Sequence, residues 1–78
     1  MTMEERVEKL IKMKIDEHNA ISIGLRYAGD GIDFYTGRFT ELQDLLIDFM
    51  WQFGTKIDFV TAKDEHGNEY EKAVINAE

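Results

Sequence analysis

The chain contains no cysteine and no proline, one tryptophan and one serine, Ser22. Without cysteine there is no disulfide, no thiolate zinc site and no cysteine nucleophile, a usage that fits a reducing compartment. Without proline or a low-complexity linker, the turns are short and the connections brief. No apolar run approaches the roughly 18–20 residues that a membrane-spanning helix needs. The N-terminus is charged within its first six residues and lacks the apolar stretch of a signal peptide, so a cytoplasmic location is expected. Basic residues are scarce as well: 9 against 16 acids, a formal net charge of −7. That balance disfavours direct nucleic-acid binding, whose affinity comes from Lys and Arg on phosphates, and it disfavours an anionic membrane. The same sign favours a basic protein partner, although acidity alone also serves solubility.

What is present is a chain of 78 residues, 44% of them hydrophobic. That is enough for one compact domain, residues 1–78, with a modest core. Residues 2–18 read as a helix. Thr2 caps it, Glu4 and Glu5 sit in its first turn, and Met3, Val7, Leu10, Ile11 and His18 form one stripe. Glu5–Lys9 and Glu8–Lys12 are i,i+4 pairs, Lys14 snorkels past the core edge, and Asn19 is the expected stop. This helix is nearly balanced in charge, so the acidity lies in the rest of the chain.

Residues 20–37 read as a β-hairpin about Asp30-Gly31, a dipeptide suited to the positive φ angles of a type I′ turn. The register then pairs Tyr27 with Phe34, Leu25 with Thr36 and Arg26 with Tyr35. It puts Ile21, Ile23, Leu25, Tyr27, Ile32, Phe34 and Thr36 on one face. Residues 40–53 read as a second helix, with Thr40 and Gln43 as a capping box, Phe39 as its hydrophobic staple and Gly54 as its stop. From Thr55 the chain alternates as a strand, and residues 64–69 form a polar turn. The closing segment from Tyr70 fits a strand, which the preceding turn favours. It also fits a helical stripe of Tyr70, Ala73, Val74 and Ala77. The order becomes α-β-β-α-β-β, an α+β fold with a four-stranded antiparallel sheet and two helices packed on one face.

Chemistry is sparse in this pattern. Ser22 lacks a G-x-S-x-G elbow, and no sequence pattern orients a base beside it. Asp64, Glu65, His66, Asn68 and Glu69 gather oxygen and imidazole donors, but without metal-ligand spacing they read as a solvated hairpin tip. Gly29, Gly31 and Gly37 do not form G-x-G-x-x-G. No enzyme, no metal and no cofactor is expected.

The second helix is the more informative element. Phe39, Leu42, Leu45, Leu46, Phe49 and Phe53 fall within about 100° of arc, which is the core stripe. Ile47 and Trp51 stand roughly 100–160° away from its centre, with Met50 between the sets and Asp44 and Asp48 on the polar arc. This ridge either packs on the first helix, anchors another protein or forms a homodimer seam. Arg26 and Tyr35, with Asp33 beside them, give a second candidate surface on the open sheet face. The resulting expectation is a small acidic protein-binding module with partner-binding residues Ile47, Met50, Trp51, Asp44, Asp48, Arg26, Asp33 and Tyr35. One form is an antagonist of a basic nucleic-acid-handling protein, the kind of inhibitor that phages and mobile elements encode. The alternative is a homodimeric structural or regulatory subunit that self-associates through the second helix.

Overall fold

The first helix starts where its cap signal puts it: the Thr2 hydroxyl oxygen accepts the Glu5 N–H at 3.1 Å. It does not stop at Asn19. In the computed structural model of the chain, which describes residues 2–76, α1 runs Met3–Leu25 and α2 runs Ile32–Phe53. A single 3-10 turn, Gly29–Gly31, joins them. β1, Ile57–Lys63, and β2, Glu69–Ile75, close the chain. The sheet has two strands rather than four, and the order is α-α-β-β rather than α-β-β-α-β-β.

The expected hairpin over 20–37 is therefore replaced by the bend of a helical hairpin. A type I′ turn needs positive φ at both central residues. Only Gly29 has it in this bend (φ 55), while Gly31 caps α2 at φ −87. The alternation of Ile21, Ile23 and Leu25 loses to a 3.6-residue stripe made of Ile11, Ile15, His18 and Ser22, all buried. Two polar members disguise that stripe in the sequence. On α2 the core stripe extends backwards from Phe39 to Tyr35, whose ring covers the bend so closely that a Cβ at Gly24 would lie 3.5 Å from it. Thr40 is no cap either: it sits inside α2 and its hydroxyl donates to the Thr36 carbonyl at 3.0 Å. Gly54 does end the helix, in the left-handed region at φ 68, with its N–H on the Met50 carbonyl at 3.1 Å.

The closing segment is a strand. β1 and β2 pair antiparallel with Ile57 opposite Ile75 and Lys63 opposite Glu69. Ala77 and Glu78 lie outside the described residues. The hairpin forms a second layer over the helical hairpin, with β2 on α1 and β1 on α2. Ile11, Ile15, Leu46, Phe49, Ile57 and Ala73 fill the space between the layers, and Leu46 is completely enclosed. Arg38 ties the two helices together, donating to Glu17 at 3.0 Å and to Glu41 at 3.4 Å.

Asn19 holds the layers in register. Its side-chain amide donates to the Ala73 carbonyl at 3.1 Å and accepts the Ala73 N–H at 2.7 Å. It therefore bonds β2 as one residue of a neighbouring strand would. Replacing Asn19 with Leu leaves both backbone groups of Ala73 buried without partners, which costs about 2–4 kcal/mol for the pair. Denaturant unfolding of Asn19→Leu should show that loss with an unchanged m-value, and Asn19→Asp, which keeps only the acceptor, should fall between.

Candidate interaction surface

Trp51 is the most exposed large apolar side chain among the described residues, at 85%. It stands one turn beyond Ile47, which is 37% exposed, on the side of α2 turned away from the core stripe of Leu42, Leu46 and Phe49. The ridge does not pack on α1. A two-layer arrangement buries one face of each helix against the sheet and one flank against the other helix. Trp51 lies beyond both, and Ile47 is partly covered at their edge. Met50 divides from them: it is half-buried and its sulfur accepts the Ile57 N–H at 3.3 Å, so it anchors β1.

Asp44 and Asp48 are exposed beside the ridge. α2 carries Asp33, Glu41, Asp44 and Asp48 but a single base, Arg38, which is already engaged by Glu17 and Glu41. The last turn of α2 has no basic residue to offset the negative end of the helix dipole. The outer face of α2 is thus an aromatic ridge in a negative field. A shallow depression of about 430 Å³ adjoins it, between Met50, Trp51, Gly54 and the start of β1. A larger groove of about 630 Å³ opens at the same end, floored by Val7, Ile11, Phe53 and Ile75 and edged by Glu4 and Glu8.

The other predicted surface does not form. Arg26 and Tyr35 are not a cross-strand pair, because neither is in a strand. Arg26 is exposed after α1 and donates to the Glu69 carbonyl at 3.3 Å. Tyr35 lies half-buried over Gly24 and Gly31. Asp33 is exposed in the first turn of α2. Sixteen residues of helix, about 24 Å, separate Tyr35 from Trp51. The two groups of residues therefore sit at opposite ends of α2.

A polar cluster that the sequence did not announce lies in the core. His18 is fully buried, stacked at 4.8 Å between ring centroids on Phe39 and edge-on to Phe59 at 5.5 Å. The two bonds to Ala73 fix the orientation of the Asn19 amide, so its oxygen faces His18 Nδ1 at 3.0 Å. Nδ1 is then the donor, and Nε2 is left without a hydrogen bond, 3.8 Å from Glu71 Oε1. That same Glu71 oxygen accepts Gln43 Nε2–H at 2.6 Å. The cluster ties α1, α2 and β2 together. Its only trace in the sequence is a histidine on an apolar stripe.

The polar turn behaves as a structural clamp. Tyr27 donates its hydroxyl proton to Asp64 at 2.9 Å and accepts Asn68 Nδ2–H at 2.9 Å. The other Asp64 oxygen accepts the backbone N–H groups of His66 and Asn68 at 2.8 and 2.9 Å. No group of three or more His, Cys, Asp or Glu side chains among the described residues is arranged to hold a metal ion. No helix among them is long and apolar enough to cross a membrane. No protein-family model, curated protein or solved structure matches the chain.

Asp64 generates a pH prediction. Desolvation raises its carboxyl pKa, but the Asn68 N–H, the Tyr27 hydroxyl, the His66 N–H and the nearby His66 charge together pull it below the ordinary 3.8. A depressed folded-state pKa contributes stability above the unfolded value, and that stability is lost as pH falls through the folded value. NMR titration should put the Asp64 carboxyl midpoint below 3.8. Asp64→Asn should flatten the stability curve at its acid end; a midpoint above 3.8 would mean that desolvation wins.

Proposed function

We propose that the chain is a protein-binding module that acts by occupying a basic partner, with the outer face of α2 as its docking surface. The exposure of Trp51 among carboxylates carries this reading. A tryptophan left in water gains free energy when a partner covers its apolar surface, and it is a residue type on which interfaces often concentrate their energy. Asp44, Asp48 and the uncompensated C-terminal end of α2 make the α2 side of the rim acidic, with Lys56 across the depression on the β1 side. Such a rim steers a basic surface toward the ridge and rejects acidic ones. The phosphate-binding groove of a nucleic-acid-handling protein is one surface with that charge, and covering it would make the module an inhibitor. The same carboxylates disfavour self-association through α2, because a twofold axis there would set Asp44 and Asp48 against their own copies.

The test is affinity capture from the native host at low and high salt, using wild type, Trp51→Ala, the pair Asp44→Lys/Asp48→Lys, and Asp16→Lys on α1 as a charge control. The expected partner is basic and is released by salt. Its affinity falls by about 2 kcal/mol, roughly thirtyfold, with Trp51→Ala. The α2 charge reversal should cost more than the control. Binding that ignores both salt and Trp51 would overturn the reading.

A further inference from the structure

The two long edges of the β-hairpin are treated differently by the rest of the chain. Even-numbered residues face each other across the hairpin: Asn76 N–H bonds the Lys56 carbonyl and Asp64 N–H bonds the Asn68 carbonyl, both at 2.9 Å. Odd-numbered residues therefore turn their backbone groups outward. On β2 three of these outward groups are taken by α1 and the residue after it: both groups of Ala73 by Asn19, and the Glu69 carbonyl by Arg26; those of Glu71 and Ile75 are not. On β1 the Ile57 N–H goes to the Met50 sulfur. The outward N–H and C=O groups of Phe59 and Thr61 meet no hydrogen-bonding group among the described residues. Val60 beside them is 42% exposed, and Thr61 is exposed too. A strand edge in this state is a template for another strand.

We propose that β1 pairs antiparallel, edge to edge, with β1 of a second copy of this chain, about a twofold axis at Val60. Parity and charge select that register. Outward groups must meet outward groups, so odd residues oppose odd residues and one-residue slips are excluded. With Val60 on the axis, Phe59 of each copy faces Thr61 of the other, and each pair exchanges both backbone bonds. Val60 covers Val60, which removes an exposed β-branched side chain from water. Lys56 of each copy faces Asp64 of the other, so two opposite-charge pairs close the ends. Moving the axis one residue toward the turn sets Asp58 against Asp64, a like-charge pair. Moving it one residue the other way sets Asp58 against Val60 and leaves Lys56 opposite Ala62. Neither alternative matches charge as well. The pairing uses the backbone edge of β1 and not Asp44 or Asp48; Trp51 borders that edge only at its Lys56 end.

Sedimentation velocity from roughly 1 μM to 1 mM, the range in which weak dimers populate, gives the first readout; amide exchange at the two extremes gives the second. The expected result is a doubling of mass with concentration, accompanied by at least tenfold greater protection of the Phe59 and Thr61 amides. Thr61→Pro removes an outward N–H and leaves the internal ladder intact, so it should abolish the dimer while Val60, Ala62 and Lys72 amides stay protected. Lys56→Glu, which keeps every backbone group, should weaken the dimer at least tenfold and serves if the proline variant fails to fold. A monomer at every concentration overturns the proposal. So does a dimer that survives Thr61→Pro with its internal ladder intact, or one that is lost with Trp51→Ala instead.

Discussion

The fold depends on one side-chain amide. Two strands alone form a marginal sheet, and among the described residues this hairpin has no third strand to complete it. Asn19 supplies the missing pairing at one residue, offering the Ala73 backbone the donor and acceptor that a neighbouring strand would offer. The interaction fixes more than position. With the amide held by Ala73, its oxygen is committed to His18 Nδ1, and the imidazole is locked between Phe39 and Phe59. Glu71 and Gln43 complete the line from α1 through β2 to α2. Apolar contacts such as Ile11, Leu46 and Ile57 supply the bulk of the burial but specify direction weakly; the polar line specifies which residue faces which.

The second polar tie works at the far end. Tyr27 reaches from the interhelical bend to Asp64 in the β-turn, and Asn68 closes back on Tyr27. The bend and the turn are thereby joined, and Arg26 adds a bond to Glu69 alongside. Each tie uses a residue whose local signal pointed elsewhere: Asn19 toward a helix stop, Asp64 toward a solvated tip. Local propensity is a weak prior, and a tertiary partner for the same side chain overrides it.

That conflict also explains what the sequence could and could not disclose. The Thr2 cap, the Gly54 stop, the hairpin over 57–75 and the core membership of Leu42, Leu46 and Phe49 follow from rules that act within one element. The stretch 20–37 does not. Its alternating Ile21, Ile23 and Leu25 satisfy a two-residue period, while the helical stripe through His18 and Ser22 is visible only if those polar residues are admitted to the core. His18 is admitted because its Nδ1 finds the Asn19 oxygen, which the bonds to Ala73 orient once β2 has docked. The exposed ridge was more legible. Ile47 and Trp51 fall off the core arc of α2 in any helix, although whether α1 covers them depends on where α1 lies. Arg26, Asp33 and Tyr35 were grouped by a register that the chain does not adopt, and they separate once the hairpin is replaced by helix.

The same economy shapes the surface. A domain this small encloses few side chains, so the apolar residues in excess of its core must face water or a partner. On α2 the excess includes Phe34 near its start and the ridge of Ile47 and Trp51, the latter set beside the carboxylates of Asp44 and Asp48. On the hairpin Val60 and Ile75 are exposed, and Val60 sits on a strand whose backbone edge is open at Phe59 and Thr61 while the opposite edge is held at Ala73 by Asn19 and at Glu69 by Arg26. Lys56 and Lys63 flank that open edge, and charges so placed discourage indiscriminate strand addition. The chain itself brings Asp64, at the spacing that a twofold pairing requires. In the proposed twofold pairing that carboxylate meets Lys56 of the other copy, so a charge that discourages other strands becomes a match for the chain's own.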